Sequence, residues 1–284
     1  MTAGQALLHR AIDYAGLFPP AALDLQTTAS NYQKYLNGPH AWGLGRLVLP
    51  VGLADDFVEQ YPSLVAKAAI SLVVGSSAPE ELIPLKDLGF SLDFIECAWA
   101  GASEAERVQN ILAPNARVFF EIPTSSDPEE TINELAARGA CAKVRSGGMV
   151  ANAIPPVSEV VRFIASCVRH KVPFKATAGL HHPFRGEYAL TYEENCERAI
   201  MHGYVNVILA SAMLYNEGDI ASACDVLNDA SPSSFSFVSE GIIWHNRIFT
   251  VETITDVREK LLLSFGSCSF LEPLAELADL EVTR

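Results

Sequence analysis

The stretch that decides the fold is RVFFEIPTSSDPEETINELAARGACAKVRSGGMVANAIPPVSEVVRFIASCVRHKVPFKATA, residues 117–178. Three short apolar segments alternate in it with two amphipathic segments of helical period. Parallel strands give this pattern, because each return to the same edge of a sheet needs a crossover helix. The first helical segment has readable ends, since Pro128 fits its first turn and Gly139 its last.

The same alternation continues on both sides of this stretch. It predicts an α/β protein, a (β/α)8 TIM barrel over residues 1–230, with a C-terminal extension over 231–284 that packs on the barrel as part of one domain. The extension is expected to hold a hairpin-like segment and a final helix. A doubly wound open sheet would also alternate strands and helices, but it usually carries a glycine-rich phosphate-binding loop after its first strand. The segment DYAGLFPPA at that position has no such loop, so the sequence favours the barrel. The predicted strands lie at 10–14, 46–51, 69–74, 92–97, 117–122, 141–146, 173–178 and 205–210.

Composition limits the classes of partner. The net charge is −14 with lysines and arginines scattered along the chain, so the field would repel a nucleic-acid backbone. No run of about 18 apolar residues occurs and the N-terminus lacks a signal-peptide pattern, so we expect no membrane partner and a cytoplasmic location. The six cysteines form no C-x-x-C pair, which predicts reduced, structural thiols.

Two lysines lie in the middle of apolar strands. In CAKVRS Lys143 and Arg145 share one face, and in PFKATA Lys175 and Thr177 share one. If both lysines point into the barrel they are neighbours, since adjacent strands lie about 4.8 Å apart. Proximity and burial would then lower a lysine pKa, and a neutral amine attacks a carbonyl to form a Schiff base. The alternative is that a lysine faces the helices and reaches solvent there.

Acidic residues recur at strand positions. Asp13 lies in the first strand and Glu121 in the fifth. Asp93 and Glu96 lie in the fourth, three residues apart, so in a regular strand only one of them can line the barrel. Such carboxylates could relay protons or hold a lysine charged, and structural ion pairs are the alternative for each of them.

Two histidines, His181 and His182, follow the seventh strand, where the active-site loops of a barrel begin. They could bind substrate oxygens or a metal. Adjacent histidines are weak evidence for a metal, because neighbouring side chains rarely converge on one ion.

Four segments together resemble a known family, the class I aldolases of the deoxyribose-phosphate aldolase type. They are AIDYAGLFPPAAL, LDFIECAW, the stretch from VFFEIP to VVRFI, and PFKATAGL, within a likeness that spans roughly residues 10 to 215. The resemblance implies that Lys143 is the Schiff-base lysine, Lys175 the second active-site lysine and Asp93 the proton relay.

Other positions depart from that family. Arg145 stands where the family has a small hydroxyl residue, and AGLHH and ILASAML replace its phosphate-binding loops, with Ser211 left as a hydroxyl donor. A phosphorylated sugar is therefore not the expected substrate. The planar guanidinium of Arg145 suits a carboxylate, which it can hold by two parallel hydrogen bonds.

The prediction is a Schiff-base aldolase-like lyase that acts on a small carbonyl substrate and needs no cofactor or metal. Lys143 is expected to attack the carbonyl, Lys175 to lower its pKa and Asp93 to move the proton. One alternative is a metal-dependent lyase or isomerase using Glu96, Glu121 and His181 or His182, and the other is a non-catalytic ligand-binding barrel. A homodimer is possible. The residues expected around the substrate and the lysines are Arg145, His181, Ser211, Asp13 and Glu121.

Overall fold

The computed structural model describes residues 1–75, 92–111 and 116–282, and these ranges contain a closed barrel of eight parallel strands. Seven strands follow chain order around the barrel, and the eighth lies between the seventh and the first. The predicted (β/α)8 TIM barrel is thus confirmed. The barrel strands are β1 (Ile12–Tyr14), β2 (Leu44–Pro50), β3 (Ile70–Val73), β4 (Leu92–Ala98), β5 (Arg117–Glu121), β6 (Cys141–Arg145), β7 (Phe174–Thr177) and β13 (Leu262–Ser267). Outside the barrel lie β8 (Gly186–Ala189), β9 (Arg198–Met201), β10 (Phe235–Val238), β11 (Gly241–Trp244) and β12 (Arg247–Thr250).

The helices turn their apolar faces to the barrel. In the helix over 157–170, Val160, Val161 and Ile164 are buried. Gly139 follows the helix over 129–137 at φ +64, a left-handed conformation that glycine adopts at helix ends. The helices are α1 (Ala3–Leu8), α2 (Leu25–Leu36), α3 (Ala54–Gln60), α4 (Pro62–Val65), α5 (Ala102–Ile111), α6 (Glu129–Ala137), α7 (Val157–His170), α8 (Tyr204–Glu217), α9 (Ile220–Asn228), α10 (Val251–Lys260) and α11 (Leu271–Val282).

The eighth strand is not where the sequence pattern placed it. Residues 205–210 belong to α8, which packs against α7, α9 and α10 and is buried along its whole first half. A helix enclosed on several sides is apolar all round, so its period of 3.6 disappears and the run resembles a buried strand. The strand that closes the barrel is β13, so the division expected at residue 230 falls inside the barrel.

The segment after α9 therefore does more than cover the barrel. Strands β10, β11 and β12 form an antiparallel sheet, and Phe235 of that sheet stacks on Phe184 with ring centroids 4.7 Å apart. Helix α10 then leads into β13, and α11 follows the carboxyl end of that strand. The expected hairpin-like segment and final helix are present, with the closing strand between them.

The amino-terminal end of the barrel is filled by apolar side chains. Phe94, Phe119, Cys141 and Leu263 form a separate buried cluster, and the Phe94 and Phe119 ring centroids lie 4.5 Å apart. The guanidinium carbon of Arg46 lies 3.6 Å from the Phe94 ring centroid, a cation–π contact that adds to this layer. Among the described residues these side chains fill the barrel at that end, and a cavity lies at the carboxyl end of the strands, where active sites of this fold lie.

Two further expectations concern the whole chain. Within the residues that the structure describes, no helix has the length and apolar character needed to cross a membrane. All six cysteines are free thiols, as the absence of a C-x-x-C pair predicted.

Candidate active site

Lys143 and Lys175 lie opposite each other on β6 and β7, and both point into the barrel. The side chain of Lys175 is fully buried, whereas 8% of the Lys143 side chain is exposed. The prediction that the two lysines are inward-facing neighbours is confirmed. The alternative, in which they reach solvent between the helices, is wrong.

A carboxylate separates the two ammonium groups. Oε1 of Glu96 lies 2.5 Å from Nζ of Lys175, and its Oε2 lies 2.8 Å from Nζ of Lys143. The hydroxyl of Ser71 donates to the same Oε1 at 2.5 Å. Burial raises the pKa of Glu96, but the positive charges of the two lysines outweigh it and hold the pKa well below its usual value. Glu96 is therefore ionised and bridges the lysines.

Asp13 completes the buried side of this cluster. Its Oδ2 accepts hydrogen bonds from Lys175 Nζ at 2.7 Å and from Ser264 Oγ at 2.6 Å, and its Oδ1 accepts from the Arg46 backbone N–H at 2.9 Å. The Asp13 side chain has no exposed surface. Asp13 thus holds Lys175, as expected, but it cannot touch a substrate in this state.

Glu121 completes the open side. Its Oε2 lies 2.9 Å from Lys143 Nζ and its Oε1 lies 3.0 Å from Arg145 Nε. A quarter of its side chain is exposed, which makes it the most accessible of the three carboxylates beside the lysines. Burial raises the pKa of Glu121, but the charges of Lys143 and then Arg145 lower it by more.

The charges of the cluster alternate in space from Asp13 through Lys175, Glu96, Lys143 and Glu121 to Arg145. This arrangement overturns the expected pKa of Lys143. Burial, the largest single effect, lowers that pKa, but the charges of Glu96 and Glu121 together raise it above its usual value. The resting amine is charged, so a proton acceptor must act before Lys143 can become a nucleophile.

Asp93, the expected proton relay, does not reach the lysines. It lies at the amino end of β4, where its Oδ2 is 3.5 Å from Arg46 Nε and a third of its side chain is exposed. Glu96, three residues later, faces the opposite side of the strand and points into the barrel. The carboxylates that contact the lysines are Glu96 and Glu121 rather than Asp93.

Ser211 is also misplaced by the sequence prediction. It lies in α8, fully buried, and its hydroxyl donates to the carbonyl of Val207 at 2.8 Å. A serine that bonds the carbonyl one turn earlier has its hydroxyl occupied by its own helix. Its expected contact with substrate depended on reading this helix as a strand, and it is wrong.

A cavity of about 760 Å³ lies over the charged cluster at the carboxyl end of the strands. Lys143, Glu121, Arg145 and His181 line it, as the sequence predicted for this end of the barrel. The antiparallel hairpin of β8 and β9, inserted between β7 and α8, forms part of the wall. This hairpin was not predicted from the sequence, and it contributes the lining residues Tyr188, Tyr192 and Arg198.

Two arginines bring exposed guanidinium groups into the cavity. The side chains of Arg145 and Arg198 are 53% and 55% exposed. Arg145 uses Nε for Glu121, and Arg198 donates from one terminal nitrogen to the Glu187 carbonyl at 2.8 Å. Guanidinium groups placed in this way can bind a carboxylate or another planar anion.

Two glycines keep the ends of β6 and β7 in contact. A Cβ on Gly147 would lie 2.9 Å from the Gly179 Cα, and Gly179 has φ +78. The hydroxyl of Ser146 donates to the Ala178 carbonyl at 2.5 Å across the same gap. The loops that follow the two lysine strands therefore touch directly, and this contact helps to hold both amines under the cavity.

The histidines pair with α11. His181 Nδ1 lies 3.3 Å from Glu272 Oε2, and His182 Nδ1 lies 2.8 Å from Glu276 Oε1. The ligand set of the alternative metal hypothesis, Glu96 and Glu121 with a histidine, does not assemble, because the two carboxylates hold lysines. The histidines instead belong to the wall of the cavity.

Comparisons with known proteins add no function. No family model matches the sequence, and no curated protein matches it. Among solved structures, the nitroalkane oxidase from Streptomyces ansochromogenes aligns over 98% of this chain and 100% of its own, with 11% identity and a TM-score of 0.39. Similarity at that level carries no argument. A charged cavity at the carboxyl end of a TIM barrel makes an enzyme plausible on physical grounds alone.

Proposed function

We propose that this protein is a class I lyase, which forms a Schiff base between Lys143 and a small carbonyl substrate that carries a carboxylate. The observation that supports this most is the position of the Lys143 amine. It reaches the floor of the cavity between two carboxylates, one buried and one open to the cavity. A nucleophile with an adjacent base is the arrangement that covalent catalysis requires.

Activation of the amine follows from the contacts of Glu121. In the resting state Lys143 and Arg145 both stabilise the ionised carboxylate. A substrate carboxylate would compete for the guanidinium of Arg145, because guanidinium and carboxylate fit each other by two parallel hydrogen bonds. Release from Arg145 raises the pKa of Glu121, which can then take a proton from Lys143. Binding of the correct substrate thereby produces the neutral amine.

The covalent steps need only these groups. The free amine adds to the carbonyl carbon, the carbonyl oxygen takes a proton from Glu121, and loss of water leaves a protonated imine. When the bond between the α and β carbons breaks, its electron pair moves into the imine and forms an enamine. Glu121 takes the proton released from the β-hydroxyl, and reprotonation and hydrolysis then regenerate Lys143.

In this proposal Lys175 has a different role from Lys143. Its amine has no exposed surface and is held by Asp13 and Glu96, so it is poorly placed to attack a substrate. Its positive charge keeps Glu96 ionised, and Glu96 in turn orients Lys143. We assign Lys175 as a positioning residue.

Borohydride trapping tests the proposal. The protein is incubated with small aldehydes, ketones and 2-oxo acids, reduced, and examined by intact mass and peptide mapping. We expect one adduct per chain at Lys143, lost in Lys143→Met and retained in Lys34→Met, a control at an exposed lysine of α2. Labelling that persists in Lys143→Met at the wild-type level would refute the proposal.

The raised pKa of Lys143 sets the pH dependence of trapping. Only the neutral amine attacks, so the trapping rate should rise with pH through the range from 7 to 10. In Glu121→Gln one of the two nearby negative charges is gone, so the pKa of Lys143 falls and the profile moves to lower pH. The maximum rate should fall as well, because the proton acceptor is lost. A profile that does not move would show that Glu121 has no influence on Lys143.

The other hypotheses predict different outcomes. A non-catalytic barrel would bind 2-oxo acids in a calorimeter without forming any adduct. A metal-dependent lyase would lose turnover of its substrate in the presence of a chelator and would form no adduct. Its expected ligands Glu96 and Glu121 hold lysines, so the geometry favours the Schiff-base hypothesis over this one.

A further inference from the structure

A second group of side chains lies at the wall of the cavity. His182, which follows β7, and Glu272 and Glu276 on α11 each offer one ligand atom, and these atoms lie within 4.8 Å of one another. The charged cluster around Lys143 uses none of these three residues. Contacts of this group with the substrate are not part of the proposed function.

The chemistry of the group suits a divalent transition metal. One imidazole nitrogen and two carboxylate oxygens are ligands that Zn²⁺, Co²⁺ and Mn²⁺ accept. In a tetrahedral zinc site neighbouring ligand atoms are about 3.3 Å apart, given metal–ligand distances of about 2.0–2.2 Å. His182 Nδ1 and Glu276 Oε1 are 2.8 Å apart, and the ligand atoms of all three residues lie within 4.8 Å of one another, so their spacing is on the scale of a metal site.

The positions on the helix favour convergence. Glu272 and Glu276 are four residues apart on α11, so their side chains lie on one face of the helix, one turn from each other. The imidazole of His182 stacks on the Tyr188 ring, with centroids 3.6 Å apart and an interplanar angle of 12°. This stacking holds the Nδ1 edge of the ring towards α11.

Neighbouring side chains hold Glu272, one of the three residues, in place by hydrogen bonds. Glu272 Oε2 lies 3.3 Å from His181 Nδ1 and accepts a hydrogen bond from the Tyr192 hydroxyl at 3.4 Å. Carboxylates that ligate metals are commonly held by such outer hydrogen bonds, which orient them. The adjacent His181 is then an outer partner rather than a ligand, which removes the difficulty that neighbouring histidines rarely converge on one ion.

We propose that His182, Glu272 and Glu276 bind one divalent transition metal ion, with a coordination position open to the cavity. His182 and Glu272 both line the cavity that contains Lys143. Three protein ligands leave a fourth position for water or a substrate oxygen, the arrangement of reactive rather than structural zinc sites. The ion would bind an oxygen of the substrate at a distance from the Schiff-base carbon.

Cobalt titration tests the site directly. Tag-free, chelator-treated protein is titrated with Co²⁺, the visible absorption bands are followed, and bound metal is counted by mass spectrometry of the elements. We expect one ion per chain, displaced by Zn²⁺. His182→Gln and Glu276→Gln should each weaken Co²⁺ binding at least about tenfold, because each removes a direct ligand.

A matched control is available in the chain. His245 pairs with Asp229 at 3.3 Å, another histidine–carboxylate contact, and His245→Gln should leave Co²⁺ binding unchanged. Urea unfolding of each variant verifies its fold, and Glu272→Gln replaces any variant that fails to fold. The proposal would be overturned if the wild-type protein bound no stoichiometric Co²⁺, or if His182→Gln and Glu276→Gln bound Co²⁺ as tightly as the wild-type protein.

Failure here is separable from failure of the proposed lyase. Metal binding is measured without any carbonyl compound, and trapping at Lys143 is repeated in excess EDTA. An adduct at Lys143, together with no stoichiometric Co²⁺ binding in the titration, would overturn the metal site alone. A bound metal with no adduct would overturn the Schiff base alone.

Discussion

Replacing Glu96 by glutamine is the sharpest test of the charged cluster. The substitution preserves size and leaves an oxygen for the Ser71 hydroxyl, but it removes the negative charge between Lys143 and Lys175. Among the carboxylates of the described residues, Lys175 then retains Asp13 and Lys143 retains Glu121. If the lysines depend on Glu96 as the distances indicate, the folded state should lose a large part of its stability.

The magnitude follows from the contacts. At an effective dielectric constant of about 20, a pair of unit charges at the 2.8 Å between Glu96 and Lys143 attracts by about 6 kcal/mol, before the cost of removing both charges from water. That cost is several kcal/mol for each ion. Breaking a buried pair by removing one partner typically destabilises by about 3–5 kcal/mol, which is the loss expected for Glu96→Gln.

Urea unfolding followed by tryptophan fluorescence and circular dichroism measures this loss. Glu121→Gln is the matched control, since it also removes a carboxylate from Lys143, but at a position where water can replace the lost contact. It should cost about 1–2 kcal/mol. A loss for Glu96→Gln below about 1 kcal/mol, or one no larger than for Glu121→Gln, would refute the argument that buried charges are paired through Glu96.

Three other predictions test other parts of the structure. Burial lowers the pKa of His202 to about 4, although a hydrogen bond to the Pro155 carbonyl raises it in part. As the pH falls below about 6.5, the histidine is therefore protonated in the unfolded chain before it is protonated in the folded protein. Stability should therefore fall between pH 6.5 and 4 by about 3 kcal/mol more in wild type than in His202→Gln, as measured by urea unfolding at each pH. Gly179→Ala should cost about 2–4 kcal/mol in urea unfolding, through its backbone angle and its contact with Gly147, whereas Gly139→Ala, with open space around it, should cost about 1 kcal/mol; equal losses would refute the close contact. A chain cut after residue 230 lacks β13 and should show no cooperative thermal unfolding by circular dichroism, and a sharp transition would contradict its role in closing the barrel.

The sequence predicts most of the barrel because seven strands are short apolar runs between amphipathic helices. It fails at the eighth for a physical reason. Helix α8 is enclosed by other helices and has lost the polar face that marks a helix, while β13 follows an antiparallel sheet that interrupts the alternation. Burial pattern alone does not distinguish these two cases.

The site divides in a similar way. Lys143 and Lys175 were predictable because a charged residue inside an apolar strand must face a polar interior or solvent. The sequence could not show that Glu96 rather than Asp93 points into the barrel. Phe94 and Ile95 between them are both apolar, and a shift of one residue in the strand exchanges its inward and outward faces. Contacts such as His182 with Glu276 join segments 94 residues apart, and no local pattern records them.

The closing strand also determines when a functional protein first exists. Asp13 in β1 accepts a hydrogen bond from Ser264 in β13, 251 residues later, and Arg258 just before that strand donates to the carbonyl of Leu7 across the same separation. During synthesis, β1 and β7 therefore each have one unpaired edge until the ribosome has released β13. Such exposed edges can pair with the edges of other chains. Ser264 and Lys175 both donate to Asp13, so the contacts around Lys175 are completed by that same release of β13 and a nascent chain should acquire its fold and its charged cluster together.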